Sequence, residues 1–150
     1  MSVLTPEILA WVGRSSPPRT ELATRRDIRK YSIATGQRQR KYLDGDEAPP
    51  LYYVALFWDV VERSEMTPDG AAIDRLLPAF PLTRLMNGGS KVVHHAPIRP
   101  GDTLVGRRTL TDIREKEGRS GPLIFYQVTL EVARDNGESV VTDRTTRILR

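Results

Sequence analysis

The clearest periodicity in the chain lies in its last third. Over residues 123–133 apolar positions alternate with polar ones: Ile124, Tyr126, Val128, Leu130 and Val132 share one face, and Gln127, Thr129 and Glu131 the other. A period of two is the mark of a strand buried on one side. Asp135-Asn136-Gly137-Glu138 follows. Asn-Gly accepts the positive φ angles of a type I′ turn, so residues 140–149 are predicted as the return strand. Residues 103–113 are predicted as a strand, and 115–122, with two glycines, as the turn after it. Upstream, Asn87-Gly88-Gly89 allows a bend, the β-branched pair Val92-Val93 favours a strand, and Pro97 sets a break. Pro100-Gly101-Asp102 then forms a turn in which Asp102 is expected to bond nearby backbone. The pattern predicts an antiparallel meander from about Val92 to Leu149.

The N-terminal half has a different texture. Residues 6–12 form a short amphipathic stretch, with Thr5 as cap and Pro6 at the first helical position. Ser15-Ser16-Pro17-Pro18 is a linker. Thr24, with Asp27 three residues on, caps a helix predicted to run to about Thr35 and to end at Gly36. Its faces are assigned as Ile28, Tyr31 and Thr35 on one side and Arg25, Arg29 and Ser32 on the other. Residues 37–47 are polar and predicted as a surface loop, and Ala48-Pro49-Pro50 is rigid. In residues 51–61 apolar side chains occupy nearly every position, so the period does not settle the type. A buried strand beginning near Leu51 is the reading adopted. Residues 76–86 are short apolar structure broken by Pro78 and Pro81, and Trp11, Tyr31 and Trp58 are expected in the core. Helix and first strand precede a meander: an α+β chain.

Length and composition narrow the classes. With 150 residues, 39% of them hydrophobic, the chain suits one domain spanning 1–150 with a real core. It has no cysteine and two adjacent histidines; disulfides, thiolate sites and a cysteine nucleophile are excluded, and neither a metal nor a cofactor is expected. No apolar run reaches membrane-spanning length, and Met1-Ser2-Val3-Leu4 lacks the regions of a signal peptide, so the expectation is a cytoplasmic protein without a membrane partner. Net charge is +4, but Arg25, Arg26, Arg29 and Lys30, then Arg38, Arg40 and Lys41, then Arg107 and Arg108 lie among acidic residues. No aromatic-interleaved basic motif appears, and no nucleic acid is expected. The dispersed charge reads as a solvated face, or as a basic mouth for an anionic ligand such as a phosphorylated carrier.

Three blocks carry a family resemblance. They are Trp11-Val12-Gly13-Arg14, then Thr24-Arg25-Arg26-Asp27-Ile28-Arg29-Lys30-Tyr31-Ser32-Ile33-Ala34-Thr35-Gly36 with Ala48-Pro49-Pro50-Leu51, and His94-His95-Ala96-Pro97-Ile98-Arg99-Pro100-Gly101-Asp102-Thr103-Leu104. In this order they resemble the N-terminal dehydratase half of MaoC-like acyl dehydratases and (R)-specific enoyl-CoA hydratases. The resemblance implies a hotdog fold, a curved antiparallel sheet wrapped around a helix, and an acyl-CoA or acyl-ACP thioester as ligand.

In that family an aspartate and, five residues later, a histidine do the chemistry, in the pattern Ser-Gly-Asp-x-Asn-Pro-x-His. Adding water across an α,β-unsaturated thioester needs a base for the water and an acid for the α-carbon. Placing Thr35-Gly36 on the family's Ser-Gly puts Gln37 at the aspartate and Tyr42 at the histidine. Glutamine takes no proton at neutral pH, and tyrosine, titrating near ~10, is a poor base there. The resemblance then implies a chain without the catalytic pair, which shapes the acyl tunnel for a catalytic MaoC-like hotdog partner in a heterodimer or heterotetramer. The chain ends at Arg150, after its last strand, which fits a partner supplied separately. The alternative is a self-sufficient homodimeric hydratase or thioesterase using Asp44 or Asp46 with His94 or His95. A ligand-binding or scaffolding domain without chemistry is a third reading. His94 and His95 are otherwise expected to alternate as strand neighbours, one inward and one outward. Gly88 and Gly89, by their backbone N–H groups, with His95 and Tyr53, are the candidate contacts with the thioester. A roomy acyl site is expected from the broken segment 76–86.

Overall fold

Three long strands make the body of the protein, which is described over residues 2–150 by a computed structural model. β3 (Thr103–Gly118), β4 (Gly121–Arg134) and β5 (Ser139–Leu149) form the expected meander, with β2 (Leu85–His94) on the far side of β5 and the short β1 (Arg19–Leu22) on the far side of β3. Every neighbouring pair is antiparallel. Register shifts at Leu110/Asp112, Val132/Ala133 and Asn87/Gly89 are of the kind that bend a sheet and sharpen its twist, and the sheet curves around the helical layer.

Several elements follow the sequence. Thr5 Oγ1 accepts from the Ile8 N–H and caps α1 (Pro6–Leu9). Thr24 Oγ1 accepts from the Asp27 N–H at 3.1 Å and donates to Asp27 Oδ2 at 2.8 Å, a reciprocal cap on α2 (Arg25–Ala34). Asp102 Oδ2 accepts from the Arg99 N–H at 2.9 Å within its turn.

Others differ for identifiable reasons. Residues 52–56 are helix, α4 (Tyr52–Leu56), not strand. Its inner positions Tyr52, Tyr53, Leu56 and Phe57 meet the core while Leu51, Val54, Ala55 and Trp58 face out, a helical period hidden because the outer face is apolar too. Trp58 is therefore exposed at 70%, not in the core. Residues 37–47 include α3 (Arg40–Leu43), which buries Tyr42. Ser32 faces inward and donates to the Ile28 carbonyl at 2.8 Å, which meets its hydrogen-bonding need without water. β3 continues to Gly118, so its turn shrinks to Arg119-Ser120. In the 134–138 connection Gly137 alone takes a positive φ (+91°). The Gly137 N–H bonds Arg134 O and the Arg134 N–H bonds Glu138 O, a type I turn closed by a glycine bulge rather than type I′. β2 begins at Leu85, so the meander's outer strand extends upstream through Gly88-Gly89.

The concave face of the sheet carries two apolar clusters. α4 sets Tyr52 and Tyr53 against Leu104, Val132, Val140 and Val141. The N-terminal segment and residues 76–82 cover Leu110, Ile113, Ile124 and Tyr126, with Phe80 stacked on Tyr126 at 5.3 Å. The proline-broken segment thus fills space rather than leaving a tunnel. Among the described residues no helix is long and apolar enough to cross a membrane.

Candidate functional site

A cavity of about 310 Å³ opens where four segments converge: α3 and the loop after it, the start of α4, the end of β2, and the first residues of β5. Backbone hydrogen bonds fix this junction. The Ala48 N–H bonds Ile98 O at 2.8 Å, the His95 N–H bonds Val140 O at 2.8 Å, and the Ala96 N–H reaches the same carbonyl at 3.3 Å. The extended backbone that Ala48-Pro49-Pro50 favours lets that segment run beside Ala96-Pro97-Ile98. The Pro-rich blocks of the sequence are thus two facing walls of one cavity. Val140 and Val141, both buried, close its floor.

Its polar groups are few. Tyr42, buried at 8% exposure, and Glu47 come from the α3 side, and His94 and His95 from the β2 side. Lys41 Nζ donates to Glu47 Oε1 at 3.0 Å, and that bond raises the lysine's pKa. His95 Nε2 lies 3.0 Å from Thr142 Oγ1. The His94 ring stands edge-on to Tyr53 at 6.2 Å between centroids. Tyr53 also borders the cavity, but its hydroxyl turns to the sheet and donates to Asp143 Oδ2 at 2.7 Å, while Thr145 Oγ1 donates to Asp143 Oδ1 at 2.9 Å. Burial first, then the hydrogen bond to the carboxylate, pushes the Tyr53 pKa up. An apolar pocket with convergent polar groups on two sides suits an apolar ligand carrying a polar head.

The residues singled out from sequence separate into two groups. His94, His95, Tyr42 and Tyr53 come together in the cavity. Both histidines border the cavity although β2 ends at His94: the His95 N–H still bonds Val140 O, and the side chains take different partners, His94 meeting Tyr53 and His95 meeting Thr142. Gln37, Asp44, Asp46, Gly88 and Gly89 lie outside the lining. Gln37 is half-buried at the end of α2, its N–H on Ser32 O at 2.9 Å. Asp44 pairs with Arg40, and Asp46 with Arg25 at 2.5 Å. Gly88 and Gly89 sit in the β2 bulge against Thr146 of β5. Of the lining residues that sequence reasoning did not single out, Glu47 is the one with an ionisable side chain. Its signal was its place directly before Ala48-Pro49-Pro50, the block that builds the wall. Among the described residues no three His, Asp or Glu side chains gather as a metal site requires.

An antiparallel sheet curved around a helical layer, with a ligand-sized cavity at one end of the helix, is a hotdog domain. The model of the FAS1-like dehydratase domain region matches residues 10–143, and the chain belongs to this family. It is 26% identical over 125 residues to Mesaconyl-C(4)-CoA hydratase of Chloroflexus aurantiacus, a match covering 83% of this chain and 44% of the relative. The chain thus spans less than half the length of that curated relative. In fold it resembles the ChsH1-ChsH2 complex of Mycobacterium tuberculosis (TM-score 0.69, 16% identity, 95% of this chain and 86% of that one). It also resembles the MaoC-like dehydratase of Rhodospirillum rubrum (TM-score 0.63, 19% identity, 97% and 96%).

Proposed function

We propose that this chain is the non-catalytic hotdog member of a two-component enoyl-CoA or enoyl-ACP hydratase, binding the acyl thioester beside a partner that carries the catalytic aspartate and histidine. The observation that carries this reading is the content of the cavity. Tyr42, at the position where the family keeps its histidine, projects into it, while Gln37, at the aspartate position, carries no ionisable group and lies outside it. Asp44 and Asp46 are held by arginines outside the lining and do not substitute. The apolar walls suit an acyl group, and one of the solved structures sharing the fold is itself a complex of two named components.

The test is hydration of crotonyl-CoA and of a long-chain enoyl-CoA by the purified chain, alone and with a hotdog chain bearing Ser-Gly-Asp-x-Asn-Pro-x-His. A missing general acid or base forfeits a factor of roughly 10²–10⁴, so the chain alone should be inactive to that extent and the mixture active. Gln37→Ala should leave the mixture's rate nearly unchanged. One observation favours a second reading, a self-sufficient hydratase or thioesterase: Glu47 lines the same cavity as His94 and His95. Robust turnover by the chain alone, abolished by Glu47→Gln or His95→Ala, would replace the first reading with the second.

A further inference from the structure

A second concavity, of about 430 Å³, lies on the outer side of α2 and is lined by Arg25, Arg26, Arg29, Lys30 and Ile33. These positions recur at helical spacing, so four cations share one face. Like charges four residues apart, Arg25 with Arg29 and Arg26 with Lys30, repel one another across a turn. The repulsion is only partly relieved within the chain. Arg25 Nη1 donates to Asp46 Oδ1 at 2.5 Å and to Asp44 O at 2.7 Å, and Arg29 Nε donates to Leu43 O at 3.2 Å. Arg26 and Lys30 are exposed and have no ion-pair partner among the described residues. The other carboxylates of the loop are engaged elsewhere, Asp44 by Arg40 and Glu47 by Lys41.

The groove is built, not merely charged. Gly45 (φ +76°) lets the loop lie directly on the two arginine stems: a Cβ there would stand 2.8 Å from Arg25 Cγ and 2.9 Å from Arg29 Cγ. The two guanidinium groups are thereby held in place, while Arg26 and Lys30 remain available. Ile33, 63% exposed, gives the groove an apolar end. The loop that anchors these arginines is also the one that carries Tyr42 and Glu47 into the acyl-sized cavity, so the two concavities share a wall.

We propose that this groove binds the clustered phosphates at the nucleotide end of a CoA thioester, with the adenine lying on the Arg and Ile33 surfaces. Several phosphate charges in a small volume match four cations in a small volume. Guanidinium groups both pair phosphate and stack on planar rings. A concave site on a ten-residue helix suits a compact polyanion better than the extended acidic face of a carrier protein. The inference rests on the thioester reading for the identity of the ligand, but the groove can be tested without any acyl group.

The experiment is calorimetric titration of the full chain with adenosine 3′,5′-bisphosphate, CoA and dephospho-CoA. CoA and the bisphosphate should bind, dephospho-CoA about tenfold more weakly, and affinity should fall steeply with added salt. The Arg26→Glu/Lys30→Glu variant, altered only at exposed side chains, should lose the bisphosphate by about tenfold or more with its thermal transition unchanged. Equal binding of CoA and dephospho-CoA by the unaltered chain overturns the proposal even if the variant were to misfold. So does undiminished binding by a folded variant, or binding of an acidic carrier protein in place of the bisphosphate. An enoyl-pantetheine, which lacks the nucleotide, separates the two readings. If it is hydrated with the partner while the bisphosphate fails to bind, only the groove assignment falls. If the bisphosphate binds at the groove but no enoyl thioester is turned over, only the functional reading falls.

Discussion

Tyr52 and Tyr53 are neighbours on α4, both buried, yet their hydroxyls meet opposite conditions. Tyr53 Oη donates to Asp143 at 2.7 Å, whereas Tyr52 Oη has no hydrogen-bond partner among the described residues. A hydrogen bond to a charged acceptor contributes about 1.5–3 kcal/mol, while a buried hydroxyl without a protein partner contributes little. Tyr53→Phe should therefore destabilise by about that amount in urea unfolding, and Tyr52→Phe should be close to neutral. Equal losses would contradict the assignment. The same pair sets an alkaline limit. Burial raises both pKa values, with nearby Asp27 and Glu21 adding to the effect at Tyr52, which is pushed up to about 12. In the unfolded chain tyrosine titrates near ~10. The unfolded state loses its protons first, so the stability these groups contribute is complete below pH ~10 and is lost as pH rises through the folded values. The urea midpoint should fall between pH ~10 and ~12, with a shallower slope in Tyr53→Phe. At this scale the identities of Gln37 and Tyr42, neither acidic nor imidazole, could be read directly, whereas the burial of Tyr42 beside the cavity depends on α3, which the pattern did not show. Glu47 was not legible either, since its role depends on where a loop lands.

At the scale of elements, legibility tracked one-sided burial. β4 and β5 bury one face and leave the other to polar residues, so their period showed. The caps of α1 and α2 are local chemistry within three residues and showed for that reason. α4 did not, because its outer face is as apolar as its inner one. β1 did not, because four residues, Arg19-Thr20-Glu21-Leu22, gain strand geometry only by pairing with β3. How closely α4 docks on the sheet is set by Gly106 of β3. A Cβ there would stand 2.6 Å from Phe57 Cε1, well inside the ~3.5–4.0 Å of packed carbons. Gly106→Ala should thus push Phe57 and the end of α4 off the sheet and cost about 1–3 kcal/mol. Trimming the ring in Gly106→Ala/Phe57→Leu should recover part of that loss in thermal unfolding. An alanine variant as stable as the parent would show that α4 is not seated on this strand.

The whole molecule carries an unfinished surface. Val54 on the outer side of α4, Leu51 at its N-cap and Trp58 just past its C-cap are 39%, 52% and 70% exposed, and Val60 beyond them is 97% exposed. Single exposed apolar residues are ordinary, but a contiguous apolar stripe on a soluble domain marks an interface. β2 closes the sheet on one side, with no strand beyond it among the described residues, and a long open edge invites pairing with another chain. The exposed apolar residues and the edge lead to the same expectation as the proposed two-component reading: the domain functions paired. Light scattering at micromolar concentration should find the chain as a homodimer, or as a heteromer once a catalytic hotdog chain is present. Val54→Glu/Trp58→Glu alters only outward-facing side chains, so it should keep the folded circular-dichroism spectrum. It should nevertheless shift the chain to monomer and, in the mixture, remove hydration without touching any residue of the cavity. A monodisperse, stable monomer of the unaltered chain, or full activity of a mixture containing the double variant, would show that neither this face nor the paired state is needed.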